Sequence, residues 1–271
     1  VTTRYHFISG LPRSGSTLLA ALLKQNPRFQ AAMTSPVASM CGAVHKKMCG
    51  GEFDVFFDDE KRARILRSVF DSYHSSPQEN PVVFDTNRTW TGRAALLGAL
   101  YPDARIICCV RDIGWIIDSY ERLLARQPLQ LSRTFGSQPG ASIYARADHL
   151  MQSESGLIGL PWSNLREAWF SEQAKRLIIV PYDRLAREPA TVLRALYAQL
   201  NEPWFEHDFD HVKYDEPDYD AQMGMPGLHR VRSRVSHQDR QPCIPPDLFA
   251  KYAGSHFWTK PELNVRGVAI L

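Results

Sequence analysis

Gly10, Gly15, Ser16 and Thr17 stand at the spacing of a phosphate-binding loop, G-x-x-x-x-G-K-[ST], with Ser16 in the place of the lysine. That lysine reaches the β- and γ-phosphates of a nucleoside triphosphate, and the hydroxyl after it holds magnesium. Its loss argues against triphosphate hydrolysis while the backbone N–H cradle survives. The cation has moved into the loop as Arg13. Gly15 lets the backbone approach an anion closely, and the N–H groups of Ser14 to Thr17 add the positive end of a helix. A lone glycine loop also fits an ordinary strand-to-helix turn; the dense run P-R-S-G-S-T before a leucine-rich helix argues against that. A second cationic position is Arg111. Ser119, seven residues after Asp112, falls about two helical turns on and on nearly the same side, so Arg111 and Ser119 can face one anion. Taken alone, Arg111 also fits a surface salt bridge. A third group, Asp85-Thr86-Asn87-Arg88, closes an apolar run where open parallel sheets bind ligands. An isolated aspartate there fits an N-cap or turn equally well.

Holding these groups requires strands that end at them. Short apolar runs at 5–8, 29–33, 81–85, 105–110 and 176–180 alternate with helical patterns at 18–25, 59–73, 90–100, 113–124, 161–175 and 193–200, and Thr34-Ser35-Pro36 looks like a further helix start. The continuous run R-I-I-C-C-V is of the kind buried on both faces of a parallel sheet. This alternation predicts an α/β fold, a P-loop-type parallel sheet of about four to five strands with helices on both faces. One domain over 1–271 is expected, with an excursion at 127–159 that has the composition of a mobile loop and a closing segment at 205–271.

With 271 residues, 44% of them hydrophobic, the chain can bury a sizeable core. Its formal net charge of +3 is too mild for a nucleic-acid binder but suits an anionic cosubstrate. The five cysteines are odd in number and lack metal-ligand spacing, which fits a reducing compartment, and Cys108 and Cys109 read as core residues. No apolar run approaches the roughly 18 residues of a membrane span, and the first strand begins at once. A cytoplasmic protein is expected. In the last third, 205–220 is acidic and 229–240 basic; the two segments fit an internal charge match, two solvated faces, or a basic flap over an anion.

With G-L-P-R-S-G-S-T-L-L at the first loop and V-R-D-I-G-W-I-I-D-S-Y-E-R after the third long strand, the sequence resembles sulfotransferases that use 3′-phosphoadenosine 5′-phosphosulfate. V-P-Y-D-R-L-A-R-E-P is similar to a further motif of that family, and L-H-R-V-R-S-R-V-S with P-P-D-L-F-A-K-Y to the closing segment of its bacterial and tyrosylprotein branches. The resemblance spans about 5–252. It implies a 5′-phosphosulfate loop at Ser14, Gly15, Ser16 and Thr17, with Arg13 on the bridging oxygen. It also implies a 3′-phosphate site at Arg111 and Ser119, Tyr182 near the adenine, and Arg230 in the closing segment. The reaction implied is sulfuryl transfer to a hydroxyl, leaving adenosine 3′,5′-bisphosphate and needing no metal. The pattern also departs from the family. Cytosolic small-molecule enzymes have lysine at the place of Arg13 and a histidine base within Asp85-Thr86-Asn87-Arg88. Tyrosylprotein enzymes place a glutamate base where this chain reads Ala32-Met33-Thr34-Ser35. The base is therefore open, with Asp85 the nominee, and Arg88 stands in for a lysine that stabilises the sulfuryl oxygens. A peptide tyrosine and a small phenol or alcohol both remain as acceptors, with neither nucleic acid nor membrane as partner. The Golgi tyrosylprotein members carry a membrane anchor that this sequence lacks, so a peptide acceptor is expected to be modified before export. A P-loop nucleotide kinase and a non-catalytic adenine-nucleotide-binding module are the rival readings.

Overall fold

The structure, a computed structural model, describes residues 3–75, 81–126 and 142–271. Its centre is a parallel sheet in the order β2-β3-β1-β4-β5-β6. The strands are β1 (Arg4–Gly10), β2 (Phe29–Ala31), β3 (Val82–Thr86), β4 (Ile106–Val110), β5 (Leu177–Pro181) and β6 (Ala269–Ile270). The expected count of four to five rises to six through β6. This two-residue strand pairs Ala269 with Ile178 and Ile270 with Ile179 and is too short to show a period in sequence. β1 lies between β3 and β4, so the carboxyl ends of these three strands open onto one crevice.

Successive residues of each central strand point to opposite faces. Phe7, Val83, Cys108 and Ile179 enter a core with α2 (Val37–Met48), α3 (Asp59–Tyr73), α4 (Ala94–Leu100), α5 (Ile113–Ala125) and α7 (Gly159–Phe170). Ile8, Phe84, Cys109 and Val180 enter a second core with α1 (Ser16–Leu23), α8 (Tyr182–Arg187) and α9 (Pro189–Leu200). Burying each such side chain stabilises the fold by about 1.5–3 kcal/mol. Cys108 and Cys109 are fully buried free thiols, and burial pushes the Cys109 thiol up to about 12. The helix at Asp59–Tyr73 has the expected bounds because the Asp58 carboxylate accepts from Lys61 N at 2.7 Å and caps it. Elsewhere the elements are shorter than their patterns. The 90–100 stretch is a single 3-10 turn, Thr91–Arg93, followed by α4, and the helix expected to reach 175 stops at Phe170.

Of the expected excursion, 127–141 lie outside the described residues. The rest holds α6 (Ile143–Leu150), tied to α5 by the Arg146–Glu121 ion pair at 2.5 Å. The acidic and basic segments of the last third lie against each other: Val231 N donates to Tyr214 O, Val212 N to Ser233 O, and Arg234 pairs with Asp210 at 3.0 Å. An internal charge match is therefore realised in part. Among the described residues, no helix is long and apolar enough to cross a membrane.

His6 on β1 gives the fold an acid sensitivity. Its Nδ1 accepts from Arg105 N at 3.1 Å, and its Nε2 is buried with no hydrogen-bond partner among the described residues. Burial, with Arg4 and Arg105 nearby, lowers its pKa from 6.5 to about 4. The folded state then binds fewer protons than the unfolded chain, so this stability is complete above about 6.5 and is lost as pH falls towards about 4. By pH 5 the loss amounts to about 2 kcal/mol. Urea titrations at pH 7 and pH 5 should show a clearly smaller drop for His6→Gln than for the wild type; equal drops would remove His6 as the cause.

Candidate functional site

The loop after β1 is shaped by backbone conformation. Gly10 has φ 99°, and a Cβ there would lie 2.2 Å from the Cys109 carbonyl oxygen, so only glycine lets β1 end this close to β4. Arg13 (φ 55°) and Gly15 (φ 88°) are also left-handed. For arginine this costs on the order of 1 kcal/mol, the kind of local strain that surrounding contacts must hold. Gly15 occupies the N-cap of α1 without a side-chain cap, so the first N–H groups of the helix keep their donors. Ser14 is buried, its hydroxyl donating to Pro12 O at 3.2 Å.

These contacts draw the expected donor-site residues together. Arg13 Nε donates to Ser119 Oγ at 3.1 Å, and its Nη1 donates to the Leu228 carbonyl. Arg111 Nη1 reaches the Arg13 carbonyl at 3.5 Å, and its guanidinium stacks 4.3 Å over the Tyr182 ring. Tyr182 in turn covers the loop: its Cδ2 lies 2.9 Å from where a Gly15 Cβ would sit. Among the described residues, Arg111 Nε is buried with no hydrogen-bond partner, an orphan donor at the end of β4. Burial lowers the pKa of both Arg13 and Arg111, and each is lowered further by Arg240, yet a guanidinium stays charged at any working pH.

At the end of β3 the outcome differs. Asp85 is buried, with Oδ1 accepting from Trp90 Nε1 at 2.7 Å and Oδ2 held by Ser35 Oγ at 2.5 Å and His74 Nε2 at 2.8 Å. It does not line the cavity and both of its oxygens already accept hydrogen bonds, so the structure sets the nominated base behind the cavity wall rather than at it. Ser35 stands between it and the cavity. Arg88 is exposed on the rim, its carbonyl fixed by Ser9 Oγ at 3.2 Å, and Thr86 Oγ1 is buried at the cavity without a partner among the described residues.

The cavity, of about 540 Å³, lies between these strand ends and the stretch 219–240. Arg13, Arg88, Arg111, Arg230 and Arg232 all line it with no carboxylate ion pair among the described residues. Arg240 is paired with Asp118 at 2.7 Å. A phosphorylated dianion would meet the orphan Arg111 donor, the capless helix and this set of cations together, so the residues present fit such a ligand. His229 also lines the cavity, with Nδ1 2.5 Å from Oδ1 of the fully buried Asp220. Its backbone N donates to Oδ2 of the same carboxylate at 2.8 Å. Burial lowers the His229 pKa against the opposing pull of Asp220.

The sequence model of the sulfotransferase family matches residues 6–206, about three-quarters of the chain. The chain belongs to the sulfotransferase family. No curated protein sequence matches it. Among solved structures, this sulfotransferase is similar to the sulfotransferase domain from the curacin biosynthetic pathway, at 15% identity and a TM-score of 0.58 over 94% of this chain and 97% of that one. It is also similar to the sulfotransferase domain of the Synechococcus PCC 7002 olefin synthase, at 18% identity and a TM-score of 0.50 over 94% of each chain. The sulfotransferase from Alicyclobacillus acidocaldarius is 17% identical, with a TM-score of 0.50 over 82% of this chain and 90% of that one. These likenesses are of fold. The family consists of enzymes that use 3′-phosphoadenosine 5′-phosphosulfate. Within this sulfotransferase, sequence reasoning passed over His229, Tyr219 and Ser35 as cavity residues, and Asp220 as the buried carboxylate behind His229. The one signal available was the histidine opening the basic run nine residues after a buried aspartate, and nothing local in the sequence marks that aspartate as buried.

Proposed function

We propose that this sulfotransferase moves the sulfuryl group of 3′-phosphoadenosine 5′-phosphosulfate onto a phenolic hydroxyl, with a tyrosine in an acidic peptide as the favoured acceptor. The observation that supports it most is the convergence on one cavity, beneath a capless helix, of five arginines that have no carboxylate partner among the described residues. In this reading the N–H groups of Ser14, Gly15, Ser16 and Thr17 hold the 5′-phosphate. Arg111 and Ser119 hold the 3′-phosphate, and Tyr182, flattened under Arg111, offers a face to the adenine. Arg13 faces the bridging oxygen, where charge grows as the sulfuryl group departs, and Arg88 faces the sulfuryl oxygens. Positioning and fixed cations supply the catalysis, and no metal is needed.

Arg230 and Arg232 at the rim suit acidic residues flanking a target tyrosine. A phenol ionises with a pKa near 10 and needs less activation than an aliphatic alcohol. The apolar side chains of Met223, Leu228 and Val231 in the same cavity favour a second reading, a small free phenol. Mass spectrometry after incubation with the donor separates the two. A tyrosine peptide with acidic flanks should gain one sulfuryl group, and its Tyr→Phe version none. Transfer to small phenols alone would select the second reading, and transfer only to aliphatic alcohols would overturn both.

A further inference from the structure

Asp85 is buried away from the cavity, and the opposite wall offers another destination for the acceptor proton. α10 (Pro217–Gln222) carries Asp220, which is fully buried and clamps His229 twice, at the ring Nδ1 (2.5 Å) and at the backbone N (2.8 Å). With Nδ1–H donating to the carboxylate, the lone pair lies on Nε2. Nε2 has no hydrogen-bond partner among the described residues, and the ring lines the cavity. Tyr219 packs edge-on against the imidazole with centroids 5.5 Å apart, which fixes its tilt. The same turn of chain anchors the catalytic loop, because the carbonyl of the preceding residue, Leu228, accepts from Arg13. The groups that face the imidazole are Asp220 and Tyr219 from α10, Arg13 from the first loop and Arg88 from the β3 loop.

We propose that His229 is the general base of the sulfuryl transfer and that Asp220 is its positioning residue, holding the tautomer and the ring. The assignment rests on the donor site proposed above. The acceptor oxygen bonds to sulfur as the bond from sulfur to the bridging phosphate oxygen breaks. The electron pair of that bond leaves with adenosine 3′,5′-bisphosphate, and the acceptor proton passes to Nε2, giving an imidazolium balanced by Asp220. Burial and the cations of Arg13 and Arg88 hold the imidazole neutral to lower pH than usual, so the base is competent at neutral pH.

The test uses single-turnover transfer to phenols of graded acidity, beside calorimetry with adenosine 3′,5′-bisphosphate. His229→Gln should bind the bisphosphate like the wild type. It should lose transfer by about 10²-fold or more with weakly acidic phenols, the loss shrinking as acceptor acidity rises. The acid limb of the wild-type pH–rate profile should be absent from this variant and shifted in Asp220→Asn. An equal loss across the whole phenol series, or a wild-type rate with the least acidic phenol, would overturn the assignment. If His229→Gln loses bisphosphate binding, Asp220→Asn decides by the same series: a loss graded with acceptor acidity supports the base, and an ungraded one removes it. Failure of the wild type itself to bind the bisphosphate would strike the donor site and not His229.

Discussion

Arg13→Ala lowers the rate of sulfuryl transfer by about 10² to 10³, with a much smaller change in the Michaelis constant for the donor. The expectation follows from how the side chain is held. Ser119 Oγ takes its Nε and the Leu228 carbonyl takes its Nη1, so the guanidinium is fixed before any ligand arrives and need not reorganise as charge grows on the leaving oxygen. Arg13→Lys keeps the charge but cannot reach both anchors, and should fall between the two. Single-turnover measurements at saturating donor isolate the chemical step, and an unchanged rate in Arg13→Ala would take the role away from this residue.

Arg111→Ala should act on the other quantity. Its orphan Nε and its stack on Tyr182 mark it as a binding group, and losing a charge-assisted contact of this kind costs on the order of 2 kcal/mol or more. Calorimetry should then show adenosine 3′,5′-bisphosphate bound about 30-fold more weakly or worse, by the 1.36 kcal/mol-per-decade relation. Arg111→Lys restores the charge but neither the planar stack nor the fork, so most of the loss should persist. Wild-type affinity in Arg111→Ala would refute the 3′-phosphate assignment.

The parts of this site that could be read from the residues are those carried by local pattern. The loop from Gly10 to Thr17 sits between a strand and a helix that each announce their own period, and Arg111 just before α5 and Ser119 two turns into it are brought to one side by the helical spacing. The burial of Asp85 could not be read because its surroundings are assembled from afar. Ser35 precedes α2, His74 follows α3 and Trp90 precedes α4, and no local signal shows that all three close on one carboxylate. His229 and Asp220 were missed for the converse reason: Asp220 sits on α10, a helix too short to show a period, and His229 in the irregular chain after it, so no pattern tells which side chains turn inward. β6 is too brief to differ from a chance pair of apolar residues.

The two walls of the cavity belong to separate stretches of chain. One is made of strand ends and helix starts that the sheet must build in order to fold; the other, from 219 to 240, is largely irregular chain laid across the opening. Retooling the enzyme is therefore asymmetric. Exchanging residues of the second wall other than Asp220 and His229 should alter which acceptor is admitted while leaving the sheet and the loop from Gly10 to Thr17 intact, so this stretch is the place to graft when a new acceptor is wanted. The graft must keep a backbone carbonyl at the position of Leu228, through which the second wall holds Arg13 in place.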